Sequence, residues 1–220
     1  MKAQRHFTIR WFLVVLVVFL TGIFSASVVL ADPYIPEKKV YYMDGTSGVT
    51  YIYLHGVTKT SAITNLKTSK KSVAKVFKDV PDGKTAAVAI LPKKAGTTTI
   101  TFKVKYNGKT IKGKTKFIAR KYSSPLKSFK VGSKNFTSKF KKTGHLQVDK
   151  ALKGKLSIKL KSGYKISQMS IYSWSGGSFV KEPKNNKSVN VPKGKTLSVQ
   201  VIPEGADETE KMFLEIMVNQ

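Results

Sequence analysis

The sequence predicts an all-β protein, two tandem β-sandwich modules behind an N-terminal signal helix. Three observations carry this reading: strict alternation across residues 96–117, turn residues between short apolar runs, and no ten-residue helical periodicity after residue 31. In GTTTITFKVKYNGKTIKGKTKF, Ile100, Phe102 and Val104 share one parity while Thr101, Lys103 and Lys105 take the other. After the turn, Ile111, Thr115 and Phe117 alternate with Lys112, Lys114 and Lys116. A period of two marks half-buried strands, because successive side chains point to opposite faces. Asn107-Gly108 is a strong hairpin signal, since a type I′ turn needs positive φ at both central residues. That turn pairs Val104 with Ile111 on the buried face and Lys103 with Lys112 on the outer one. Like charges directly opposed across strands are destabilising, so the face needs either an anionic ligand or a merely compositional cause.

The elements before the hairpin come in order. Lys2, Arg5 and Arg10 form a basic start, Trp11 to Leu20 is an unbroken apolar run, and Thr21, Gly22 and Ser25 loosen the stretch after it. Val29 and Ala31 then supply the small residues of a cleavage site, which predicts a secretory signal over 1–31, cut after Ala31. The rival is an uncleaved anchor, because Trp11 to Leu30 is about long enough to span a bilayer with its positive end inside. Either way, the remainder lies outside the cytoplasmic membrane. With 32–37 as a linker, the expected modules are 38–122 and 126–220, divided where Ser123-Ser124-Pro125 breaks the pattern. Each is large enough to bury a core without staples. The absence of cysteine excludes disulfides, thiol chemistry and a lipid-modified cysteine.

In the first module, strands are expected at 39–43, 50–57, 62–68, 72–77 and 85–91 before the hairpin. Asp44-Gly45, Ser47-Gly48 and Pro81-Asp82-Gly83 supply the turns between them. Short strands at that spacing point to a sandwich or barrel. Ser72-Val73-Ala74-Lys75-Val76, followed by Gly96-Thr97-Thr98-Thr99-Ile100, resembles the bacterial immunoglobulin-like group 2 family, and the likeness covers about residues 38–120. Leu66 stands near the place where that family often carries a tryptophan. The resemblance implies an Ig-like sandwich that serves as a binding or spacer module rather than an enzyme.

The second module lacks that signature but alternates in the same way. Leu156, Ile158 and Leu160, then Leu197, Val199 and Val201, then Met212, Leu214 and Ile216 are its expected buried rows. Ser175-Gly176-Gly177, Pro183-Lys184-Asn185-Asn186 and Pro203-Glu204-Gly205 punctuate them. The pattern predicts a second sandwich, a degenerate Ig-like relative of the first, with Met212 and Met217 as core and filler.

Catalytic chemistry finds little to work with. His55 and His145 have no ligand partner at metal-binding spacing. Asp44 and His55 have no nucleophile elbow to complete a triad. Only Asp44, Asp79, Asp82, Asp149 and Glu182 lie within 38–202, and Asp79 and Asp82 read as turn formers. No calcium loop or phosphate loop occurs. The expectation is no enzyme, no metal, no cofactor and a monomer.

Charge is the remaining signal. The 40 Lys and Arg, less Lys2, Arg5 and Arg10, leave 37 against 12 Asp and Glu, a net charge of +25. Such a field draws in anions. Arg120 is the sole arginine after residue 31, and base-reading contacts favour arginine's bidentate fork, so sequence-specific nucleic-acid recognition is not expected. Tyr51 and Tyr53 share a strand face; they read as packing more than as a stacking platform. The expected partner is an anionic polymer or surface of a Gram-positive type of envelope: teichoic acid, anionic lipid or acidic glycan. Lys103, Lys105, Lys112, Lys114 and Lys116 are the candidate contacts. With no sorting motif at Val218-Asn219-Gln220, electrostatic retention in the wall takes the place of a covalent anchor. An Ig-like spacer or adhesin without polyanion specificity is the alternative, and a secreted enzyme a minor one.

Overall fold

Two hydrophobic cores organise the residues that the computed structural model describes, 31–45, 48–173 and 178–220. Both lie within Pro33–Gln220, one gathered from Ile52 to Ala119 and the other from Leu126 to Val218. The expected signal segment, apart from Ala31, lies outside the described residues, as does the expected turn at Ser175-Gly176-Gly177.

The first core is enclosed by β1 (Lys38–Met43), β2 (Thr50–Tyr53), β3 (Ile63–Thr68), β4 (Ala74–Asp79), β5 (Ala87–Pro92), β6 (Gly96–Tyr106) and β7 (Lys109–Lys121). They form sheets ordered β1-β7-β6-β3 and β2-β5-β4. β1 runs parallel to β7, and the other pairs are antiparallel. The immunoglobulin order, with strands ABED facing CFG, is reproduced by β2-β5-β4 facing β3-β6-β7, with the first strand moved to the second sheet. Alternation buries Ile100, Phe102, Val104 and Phe117 against Ile52, Val88 and Ile90. The hairpin register is the expected one: Val104 pairs with Ile111 and Lys103 with Lys112. Asn107 and Gly108 both take positive φ, 47° and 74°, as a type I′ turn requires.

Three expected strands shift at their ends, the 85–91 strand beginning at Ala87. The 50–57 strand stops at Tyr53, because the Val57 N–H donates to the Leu54 carbonyl (2.9 Å) in a turn where Gly56 has φ 84°. The 72–77 strand begins only at Ala74, because the Val73 N–H donates back to Lys70 (3.0 Å). Asn65, at φ 52°, sits within a register shift that breaks β3 between Thr64 and Lys67.

The second core is enclosed by β8 (Leu126–Val131), β9 (Lys134–Asn135), β10 (His145–Val148), β11 (Leu152–Leu160), β12 (Tyr164–Ser173), β13 (Phe179–Lys181), β14 (Ser188–Val191), β15 (Lys195–Pro203) and β16 (Met212–Val218). The sheets run β10-β16-β15-β12-β13 and β14-β11-β8-β9. β10 is parallel to β16, so β10-β16-β15-β12 repeats β1-β7-β6-β3, and β11-β14 repeats β2-β5. The protein is therefore all-β, with two tandem Ig-like sandwiches. Leu156, Leu197, Val199, Val201, Leu214 and Ile216 are fully buried, Met212 nearly so, and Met217 half-buried.

Side chains and backbone tie the two sandwiches together. The Tyr122 N–H donates to Met43 (2.8 Å), while its hydroxyl donates to the Phe140 carbonyl (2.8 Å) and its ring packs on the second core. Lys38 Nζ reaches Asp207 (2.8 Å) and Glu210 (3.1 Å), and Arg120 Nη1 reaches Glu210 (2.8 Å). Asp44 accepts from the Thr143 hydroxyl (2.7 Å) and the Gly144 N–H (3.0 Å).

Candidate functional site

Strand alternation puts all five candidate lysines on the outer face of β1-β7-β6-β3. Lys105, Lys112, Lys114 and Lys116 are exposed, and Lys103 is half-buried. Lys103 lies between Lys112 of β7 and Thr64 of β3, and Thr101 lies between Lys114 and Lys67. Lys116 lies between Thr99 and Lys38 of β1. The sheet thus carries two like-charge oppositions, Lys103 with Lys112 and Lys38 with Lys116. Among the described residues, none of the five candidate lysines makes an ion pair.

Several carboxylates are engaged elsewhere. Asp82 accepts from the backbone N–H groups of Thr85 (2.6 Å) and Lys84 (2.9 Å), which lowers its pKa to about 2. Asp79 caps the Val80 N–H at 2.8 Å. Both are turn formers, as the sequence reading has them. Asp207 is lowered to about 2 by its bond to Lys38, and the same lysine is the main cause holding Glu210 below its ordinary range. Burial works against the charge of Glu215, but bonds from His145 (3.1 Å), Tyr172 and Ser198 (both 3.0 Å) outweigh it and keep its pKa low. Hydrogen bonding to Glu215 in turn raises His145.

His145 bonds to Glu215, His55 stacks against Tyr53 with ring centroids 6.2 Å apart, and Asp44 holds Thr143 and Gly144. Among the described residues, no three His, Asp or Glu side chains cluster as a metal site would need.

A second feature escaped the sequence. β2 carries Tyr51 and Tyr53 on the outer face of β2-β5-β4, where they flank Ala89 and Ala87 of β5. The small alanines let the rings lie against the sheet, 5.7 Å apart between centroids. Tyr34, 72% exposed, and Phe213 of β16, 42% exposed, complete a groove of about 400 Å³ between the sandwiches. Tyr34 and Phe213 lie far apart in sequence, and only the sandwich contact brings them together. The alternation of Tyr51, Tyr53 and His55 was the one signal available.

No family model matches the sequence, and no curated protein matches it either. Solved structures do. A chimeric titin Z1Z2 functionalised with an exogenous decorin peptide shares 9% identity over 87% of this chain and 99% of its own, at a TM-score of 0.30. Domains 4–9 of the surface layer protein SbsC share 15% over 86% of this chain and 31% of theirs, at 0.26. Protocadherin gamma B7 cadherin domains 1–4 share 9% over 86% of this chain and 49% of theirs, at 0.28. Likeness at these scores carries no argument about activity, and the fold assignment rests on strand order.

Proposed function

We propose that the chain is an exported, non-catalytic envelope module, held on anionic polymers or surfaces through the lysine face of β1-β7-β6-β3. The observation that carries this reading is the uncompensated Lys103–Lys112 pair, flanked by Lys105, Lys114 and Lys116 with no ion pair among the described residues. A sheet tolerates that opposition at low cost when a polyanion supplies the missing counter-charge. Lysine suits such a partner as a hydrated point charge that demands no fixed geometry.

Sedimentation with wall teichoic acid or anionic vesicles tests the reading. Binding should fall steeply from low to physiological salt, where the screening length shrinks to about 8 Å. Each lysine near an anionic membrane surface contributes on the order of 1 kcal/mol. Substituting Lys103, Lys105, Lys112, Lys114 and Lys116 together with glutamine should weaken binding while keeping or raising the melting temperature. A folded variant that binds as well as the parent overturns the face, and a parent that binds nothing at low salt leaves the spacer reading.

A further inference from the structure

We propose that the groove between the sandwiches binds an acidic pyranose oligosaccharide, with sugar rings stacked on Tyr53 and Tyr34 and a ring carboxylate taken by Lys39. This deepens the polyanion reading by naming a ligand class, and rests on it only for the sign of the ligand's charge.

Exposure is the first ground. Tyr34, Tyr53 and Phe213 are three of the five large apolar side chains exposed among the described residues, and all three line this one groove. Gathered exposed aromatics mark a binding surface, whereas scattered ones need no explanation. Tyrosines offer flat apolar faces to the C–H side of a pyranose, and hydroxyl tips to its polar edge.

Charge is the second ground. Lys38 is held by Asp207 and Glu210, and Lys211 pairs with Glu208. Lys39, half-buried in the groove wall, has no carboxylate partner among the described residues, and burial lowers its pKa. One unanswered ammonium fits one carboxylate of the bound stretch. Glu208, also in the wall, offers carboxylate oxygens to hydroxyl donors, which a pyranose carries and a phosphodiester backbone lacks. The same wall therefore favours an acidic glycan over a single-stranded nucleic acid, which would need a continuous basic track.

Calorimetric titration of the protein with oligogalacturonate provides the test, with methyl-esterified oligogalacturonate and oligothymidylate as comparison probes. Tyr53→Ala, Tyr34→Ala and Lys39→Gln should each weaken oligogalacturonate binding about tenfold, with melting temperatures unchanged. Esterification should weaken it similarly. The five-lysine glutamine variant should stay within about twofold of the parent, because that face is a separate site.

Several results would overturn the proposal. They are failure of oligogalacturonate to bind, indifference to Tyr53→Ala and Tyr34→Ala, equal binding of the ester, and equal binding of oligothymidylate that Tyr53→Ala abolishes. Loss of binding only in the five-lysine variant would also reject the groove, while leaving the lysine-face reading intact.

Discussion

Gly113→Ala places one methyl group where the hairpin has no room for it. An added Cβ would stand 2.5 Å from Phe102 Cζ, 2.6 Å from Cε2 and 2.8 Å from Cε1. Phe102 is 2% exposed and pairs with Gly113 across β6 and β7, so its ring can retreat only by displacing core neighbours. Overpacking of this kind costs about 1–3 kcal/mol. Gly113 does not sit at positive φ, so alanine meets no backbone strain there, and the loss of unfolded-state freedom returns about 0.4–1 kcal/mol. The net loss is about 1–2 kcal/mol. If both sandwiches melt as one unit, each kcal/mol lowers the midpoint by about 2–4 °C; if the first melts alone, by about 4–8 °C. Thermal unfolding followed by circular dichroism reads the shift. Adding Phe102→Leu should recover part of the loss, although that substitution alone opens a cavity and destabilises. An unchanged or raised midpoint for Gly113→Ala, or strictly additive effects in the double variant, would refute the steric account.

Two further expectations concern the contact between the sandwiches. Glu210→Gln removes the carboxylate shared by Lys38 and Arg120, so the radius of gyration from small-angle scattering should rise while circular dichroism keeps its β-type signal; an unchanged radius would show that Tyr122 and Asp44 suffice. Acid should do the same to the parent: the folded pKa values of Asp207 and Glu210 are depressed, so their contribution is full above the unfolded value near pH 4 and lost as pH falls through the folded value. The radius should then grow between about pH 4 and pH 2, and constancy across that window would sink the idea.

The parts of the fold that were legible in the sequence are those where alternation runs unbroken. β6 and β7 keep one phase for 11 and 13 residues around an Asn-Gly turn, and their register could be read to the residue pair. β12 could not be found, because a register shift between Ile166 and Gln168 moves its apolar positions from Ile166 to Met169 and Ile171. The period of two then changes phase midway and resembles irregular loop. β8, LKSFKV, buries Leu126, Phe129 and Val131 at mixed spacing, and it comes directly after residues that read as a linker. The lysine face was visible because it depends on one local hairpin. The groove was not, because Tyr34 and Phe213 come to line one groove only through long-range packing, and Tyr53 lies beside the small Ala87 of the neighbouring strand. Nor could the sequence show that the acidic residues between β15 and β16 would reach back to β1 and β7.

That reach bears on the lysine face itself. Residues 204–210 hold Glu204, Asp207, Glu208 and Glu210, four of the 12 acidic residues in the chain. Asp207 and Glu210 grip Lys38 and Arg120 at 2.8–3.1 Å. By strand parity, Arg120 shares the outer face of β7 with Lys112, Lys114 and Lys116, and Lys38 is registered beside Lys116. One end of the face is therefore occupied by a short acidic segment of the same chain, and at the other end Lys103, Lys105, Lys112 and Lys114 make no ion pair among the described residues. A face that already takes carboxylates at ion-pair distance where the chain supplies them is chemically suited to take them from outside where it does not. Tethering makes the internal segment effectively concentrated, so on the proposed reading an external polymer should engage first at Lys112, Lys114, Lys103 and Lys105, furthest from the acids. Polyanion capture there should leave the contact between the sandwiches, and with it the aromatic groove, in place.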